Sequence, residues 1–145
     1  MERIKVKKLN NNAIIPTKGS AFAAGMDLYA CTDTNIIIMP HETVKVPTGL
    51  SIELPHGYFG AIFARSGLAT KNGLRPANCV GVCDEDYRGE YIVALHNDTD
   101  APQTINSMER IAQLVVMPYL PFEFEEVDEL TDTERGSGGF GSSGK

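Results

Sequence analysis

Two short segments carry side chains in patterns that can do chemistry. Asp84-Glu85-Asp86-Tyr87-Arg88-Gly89 lies between the apolar runs 80–83 and 91–95, the placement of a hairpin tip. One reading is a solvated turn, since Asp and Gly are ordinary turn residues. The other is a carboxylate held at a pocket edge as a general base, with Tyr87 as an aromatic floor. Arg65-Ser66-Gly67 follows an apolar run at the point where a helix can begin. A capped helix with a surface arginine accounts for it. So does a phosphate site, because free amides, a hydroxyl and a guanidinium converge there. Arg110 opens a third segment in which Gln113 is a polar residue among apolar ones.

The C-terminal stretch 135–145, R-G-S-G-G-F-G-S-S-G-K, is too poor in apolar residues to fold by itself. A plain linker needs no function. A nucleotide P-loop is not expected: residues 139–145 fit G-x-x-x-x-G-K, without the Ser or Thr and the helix that the motif needs after its Lys. A flap closing over a polyphosphate is the third reading. Its glycine amides can approach an anion, Arg135 adds charge, Ser142 donates hydrogen bonds, and Phe140 can cover an aromatic base.

These residues need a frame, and the rest of the sequence predicts one made of short strands. Apolar and polar residues alternate around Ile4 and Val6, Val44 and Val46, and Leu50 and Ile52. Further β-like runs cover 36–39, 58–64, 80–83, 91–95, 111–117 and 122–127, with Gly and Pro between many of them. A single helix is expected over 66–71, capped by Ser66 and ended by Asn72-Gly73. Many short strands with turn breaks predict an all-β sandwich or jelly roll in one domain over 1–134. The remaining residues 135–145 are expected to form a flexible arm.

Composition narrows the partners. Lys plus Arg is 13 against 19 Asp plus Glu, a net charge of −6, which disfavours direct binding to long nucleic acid. Small anions stay possible, because a few arginines or a cation can reverse the local sign. The cysteines Cys31, Cys79 and Cys83 have no C-x-x-C spacing, and the histidines His41, His56 and His96 are scattered. A protein-bound zinc is therefore not expected. The apolar runs are too short to span a bilayer, and the N-terminus lacks a secretory pattern, so a soluble protein of the cytoplasm or another intracellular space is expected.

The segments Ala24-Gly25-Met26-Asp27-Leu28-Tyr29, Ala64-Arg65-Ser66-Gly67, Gly81-Val82-Cys83-Asp84-Glu85-Asp86-Tyr87-Arg88-Gly89, Arg110-Ile111-Ala112-Gln113-Leu114 and Arg135-Gly136-Ser137-Gly138-Gly139-Phe140-Gly141-Ser142 resemble, in order and spacing, the motifs of the homotrimeric dUTP pyrophosphatases. The resemblance implies a jelly-roll, β-clip-like subunit and a homotrimer with active sites shared between subunits. It implies hydrolysis of dUTP to dUMP and diphosphate, which limits uracil incorporation into DNA and supplies dUMP for thymidylate synthesis. By motif, Asp84 is the general base; Arg65, Ser66, Gly67 and Gln113 hold phosphates; Arg135 and Ser142 close on the γ end, and Gly141 is a further substrate-binding residue. The main chain of Val82, Cys83 and Asp84 reads uracil with Asn78, and Gly81 helps to hold a water. Tyr87 packs on the deoxyribose, Phe140 stacks over the base, and Ile92 lines the pocket. Mg²⁺ is implied as a cofactor held by the substrate's phosphates, with Asp27 acting through water and no direct protein ligand. Cys83 departs from the aliphatic residue usual at its position, and its oxidation would put a polar group beside the base. The alternatives are a dCTP deaminase, or a bifunctional deaminase and pyrophosphatase, of the same fold, and a non-catalytic nucleotide-gated interaction protein.

Overall fold

In the computed structural model, which describes residues 3–139, alternation of apolar and polar residues produces strands whose inward faces share one core. The elements run β1 Lys5–Lys8, β2 Thr17–Lys18, β3 Met26–Tyr29, β4 Ile36–Ile38, β5 Thr43–Pro47, β6 Leu50–Glu53, β7 Tyr58–Phe63, α1 Ser66–Asn72, β8 Leu74–Pro76, β9 Gly81–Cys83, β10 Ile92–Asn97, β11 Gln103–Ile105 and β12 Arg110–Pro118. A five-stranded sheet has the order β2-β3-β12-β7-β9, and a three-stranded sheet the order β5-β10-β8. The pairs β1-β6 and β11-β4 complete an antiparallel, all-β jelly roll.

Period-2 alternation is visible in the register of β10 on β5. Val93 faces Val46 and Leu95 faces Val44, and Val46, Val93 and Leu95 are buried, while Ile92, one position before Val93, is exposed on the other face. Leu28, Ile38, Leu50, Ile52, Ile105, Ile111 and Leu114 fill the same core. The buried polar groups Thr48 and Asn97 find partners there. Thr48 donates to Tyr91 O, and the Asn97 amide donates to the carbonyls of Ile38, Met39 and Ala101. Among the described residues no helix is long and apolar enough to cross a membrane.

Three expectations need correction. Residues 122–127 are not a strand: Phe122 and Phe124 are 74% and 95% exposed, with their rings edge-on to each other. Their alternation with glutamates is strand-like, but no neighbouring strand of this chain pairs with them. Ser66 is not the helix cap. Arg65 holds the extended cap position without a side-chain cap bond, which places Ser66 inside the first turn. Gly73 does end the helix, in the left-handed region at φ 62°. Finally, β9 and β10 do not form one hairpin. β9 pairs with β7, whereas the chain beyond Arg88 is drawn to β6, where Ser51 donates to Arg88 O and Tyr91 N donates to Leu50 O. The 84–90 segment is a crossover turn between sheets.

Candidate functional site

The crossover turn and the start of α1 lie at opposite ends of β7. Ile62 pairs with Gly81 and Gly60 with Cys83, so Asp84 falls beside the beginning of β7. Arg65, Ser66 and Gly67 follow its end. From the level of residue 59 to Arg65 the strand advances roughly 20 Å at ~3.3 Å per residue. The candidate residues accordingly divide into two clefts.

The first cleft, about 230 Å³, is lined by Asn78, Gly81, Val82, Cys83, Asp84, Tyr87 and Ile92, together with Ile62, Glu90 and Tyr91. β9 is the outer strand of its sheet, so one row of its amides and carbonyls has no ladder partner in this chain. Gly81 lets that row pass close to Ile62 and Asn78: an added Cβ would lie 3.2 Å from the first and 3.5 Å from the second. The Tyr87 hydroxyl donates to Glu90 O at 3.0 Å, folding the ring over Gly89, where any side chain would collide with it. Behind the cleft Tyr91 is fully buried, its ring 6.1 Å from that of Tyr87, and its hydroxyl has no well-aligned hydrogen-bond partner. Burial, then the neighbouring Cys83, pushes this phenol well above its ordinary value. Burial likewise raises the Cys83 thiol, which stays protonated at neutral pH.

The second cleft, about 520 Å³, gathers Asp27, Arg65, Ser66, Gly67, Arg110 and Gln113 around Gly25. β12 lies between β3 and β7, and Gln113 sits level with both Asp27 and Phe63. Its amide donates to Ala64 O at 2.9 Å, and its carbonyl oxygen occupies the space a Cβ on Gly25 would need. Arg65 Nε donates to Asp27 Oδ1 at 2.8 Å, and Arg110 donates to Asp27 Oδ2 at 3.4 Å. The carboxylate is only 15% exposed, so this one acid fixes two guanidiniums at the rim. Converging arginines beside the Ser66 hydroxyl suit a phosphate chain.

Sequence reasoning placed Asp27 near a metal–phosphate group and missed its ion pairs. Asp27 and Arg110 are 83 positions apart, and only the β3–β12 pairing joins them. Glu90 and Tyr91 were also missed as lining residues; an acid and an aromatic beside a turn give no such signal. Arg135 lines neither cleft and donates to Gly138 O within its own segment. Phe140, Gly141 and Ser142 lie outside the described residues. Among the described residues no three His, Cys, Asp or Glu side chains form a metal-binding group.

The dUTPase family model matches residues 11–144. The chain is 48% identical to the deoxyuridine 5'-triphosphate nucleotidohydrolase of Desulfitobacterium hafniense over 149 residues, covering 99% of each chain. It is also 48% identical to that of Nautilia profundicola over 143 residues, again with 99% of each covered. In structure it resembles the dUTPase of Staphylococcus bacteriophage 80alpha bound to dUPNHPP, with a TM-score of 0.91 at 28% identity and full coverage of both chains. A cleft edged by bare strand amides, a second rimmed by arginines and a match running through both leave one assignment: the chain belongs to the dUTPase family.

Proposed function

We propose that this protein hydrolyses dUTP to dUMP and diphosphate by attack of water on the α-phosphorus. The observation that carries the reading is the division of one motif set into two complementary half-sites, too far apart along β7 to act on one nucleotide within a single chain. A homotrimer joins the first cleft of one subunit to the second cleft of another. The unpaired Phe122 and Phe124 offer apolar surface for such an assembly.

In the joined site the free edge of β9 at Val82, Cys83 and Asp84, helped by Asn78, presents amides and carbonyls to the pairing edge of uracil. Gly81 helps to hold a water beside that edge. Cytosine exchanges acceptor and donor there, which leaves buried groups unpaired at about 1–3 kcal/mol each. Tyr87 packs on the deoxyribose and leaves no room for a 2′-hydroxyl, and Ile92 borders the pocket. Arg65, Ser66, Gly67 and Gln113 bind the phosphates, with Asp27 holding Arg65 and Arg110 in place. Residues 135–145 serve as an arm: Phe140 covers the base, Arg135 and Ser142 meet the γ-phosphate, and Gly141 adds a substrate contact. Asp84 orients the water and takes its proton as the oxygen bonds to phosphorus and diphosphate leaves.

Mg²⁺ fits this arrangement as a cofactor carried on the substrate. Both Asp27 oxygens face arginines, and a small hard cation retains waters alongside phosphate oxygens, so Asp27 would reach it through water. When bound it neutralises charge on the phosphate chain.

Diphosphate release from dUTP, dTTP, dCTP and UTP, with and without Mg²⁺, tests the reading. Release from dUTP alone among the four is expected, whereas ammonia from dCTP would indicate deaminase chemistry. Asp84→Asn is expected to keep dUTP binding and lose at least ~10²-fold in turnover. Undiminished turnover would remove Asp84 from the role of base.

A further inference from the structure

The last ladder position joining β9 to β7 is Cys83 opposite Gly60, so Asp84 stands just beyond the sheet. The residue after it restores the connection. Glu85 Oε2 accepts the Gly57 N–H at 2.6 Å, and Glu85 Oε1 lies 2.8 Å from His56 Nδ1. Gly57 turns the chain from β6 into β7 at φ 83°, and its own carbonyl accepts the Tyr119 N–H at 3.0 Å. One carboxylate thus ties the crossover turn to the β6–β7 turn, which is itself tied to the end of β12. The Glu85 side chain is 26% exposed and that of His56 92%, so the backbone bond from Gly57 is the better shielded of the two. The His56 bond and then the Gly57 amide hold the Glu85 carboxyl below its ordinary value, and it is ionised at neutral pH. Phe59, Val82, Asp84, Glu85, Asp86 and Tyr119 line a further open cleft of about 640 Å³, which shares Val82 and Asp84 with the first.

We propose that Glu85 is a positioning residue for the reaction: by latching onto Gly57 and His56 it fixes the turn that carries Asp84, and with it the aim of the Asp84 carboxylate. The inference rests on Asp84 being the general base. Adjacent acids then have separate tasks, one facing substrate and one fastening the backbone. A base released from its latch loses alignment with the attacking water, and misplacement by about 1 Å can cost up to ~10² in rate.

The test compares kcat, KM and the affinity and stoichiometry of a non-hydrolysable α,β-imido analogue of dUTP for the parent, Glu85→Ala, Glu85→Gln and Asp84→Asn proteins. Glu85→Ala is expected to lower kcat at least ~10-fold while analogue stoichiometry is kept and its affinity stays within about threefold. Glu85→Gln, whose carbonyl still accepts the Gly57 N–H, recovers most of the loss. Parent-like kcat in Glu85→Ala, or a loss that Glu85→Gln does not recover, overturns the proposal. A fall in analogue stoichiometry matching the fall in kcat also overturns it, because the loss is then one of folded protein. If Asp84→Asn turns over normally, the assignment of the base fails; if Asp84→Asn is inactive and Glu85→Ala is not, only the latch fails.

Discussion

Gly25 shows how a residue without a side chain can set a polar one. The Gln113 carboxamide fills the place of its missing Cβ, with the amide nitrogen fixed on Ala64 O. Gly25→Ala forces Gln113 off that position, and a lost hydrogen bond to a charged ligand is worth about 1.5–3 kcal/mol. The expected result is a rise in KM for dUTP of about tenfold or more. Gln113→Ala should do the same, and the double variant should add little, because both changes remove one interaction. Additive losses in steady-state kinetics would separate the two residues. Gln113 was legible in the sequence as a polar residue in an apolar run, and Asp84 as a turn carboxylate. The pairing of Asp27 with Arg65 and Arg110 was not. It depends on strand register, which short strands do not reveal before they are paired.

At the level of elements, α1 matters because its start follows directly on Arg65. The helix has only seven residues, too few to be stable alone, so it depends on its ends and on buried Leu68. Gly73 closes it in the left-handed region, its N–H donating to Ala69 O and its carbonyl accepting from Asp98 N. An added Cβ there meets both the positive φ and the Thr99 methyl group. Gly73→Ala is expected to destabilise the fold by about 1–2 kcal/mol, from left-handed strain plus the clash. Equilibrium urea unfolding would measure it, and an unchanged midpoint would show that the last turn relaxes freely. The start of α1 at Ser66 and its end at Asn72-Gly73 were readable, whereas the cap was placed one residue late, because Arg65 caps without a side-chain bond. Strands β5 and β6 were readable from their alternation of apolar and polar residues, and β10 from the apolar run 91–95. The three-residue strands β8 and β11 are too short to show a period, and the partner of β9 is set by tertiary pairing.

Across the whole molecule, the separation of the two clefts makes a prediction that a site confined to one chain does not share. Asp84→Asn removes the proposed base from the first cleft, and Arg65→Ala removes a guanidinium from the second, so each variant alone is expected to be inactive. A trimer whose sites draw Asp84 from one subunit and Arg65 from another behaves differently when both variants are co-expressed. In a trimer that mixes the two variants about one site in three is then restored, because of its three directed neighbour pairs only one joins an intact Asp84 to an intact Arg65. If both residues served a site within one chain, every site would keep one defect and no activity would return. Purifying the mixed oligomer through different affinity tags on the two variants, then measuring diphosphate release per site, distinguishes these cases. Recovery also requires subunits to associate stably, which the bare apolar side chains of Phe122, Phe124 and Leu130 favour. Replacing those three by serine in both variants should abolish recovery by weakening assembly; recovery that survives the change would place the main contact elsewhere on the jelly roll.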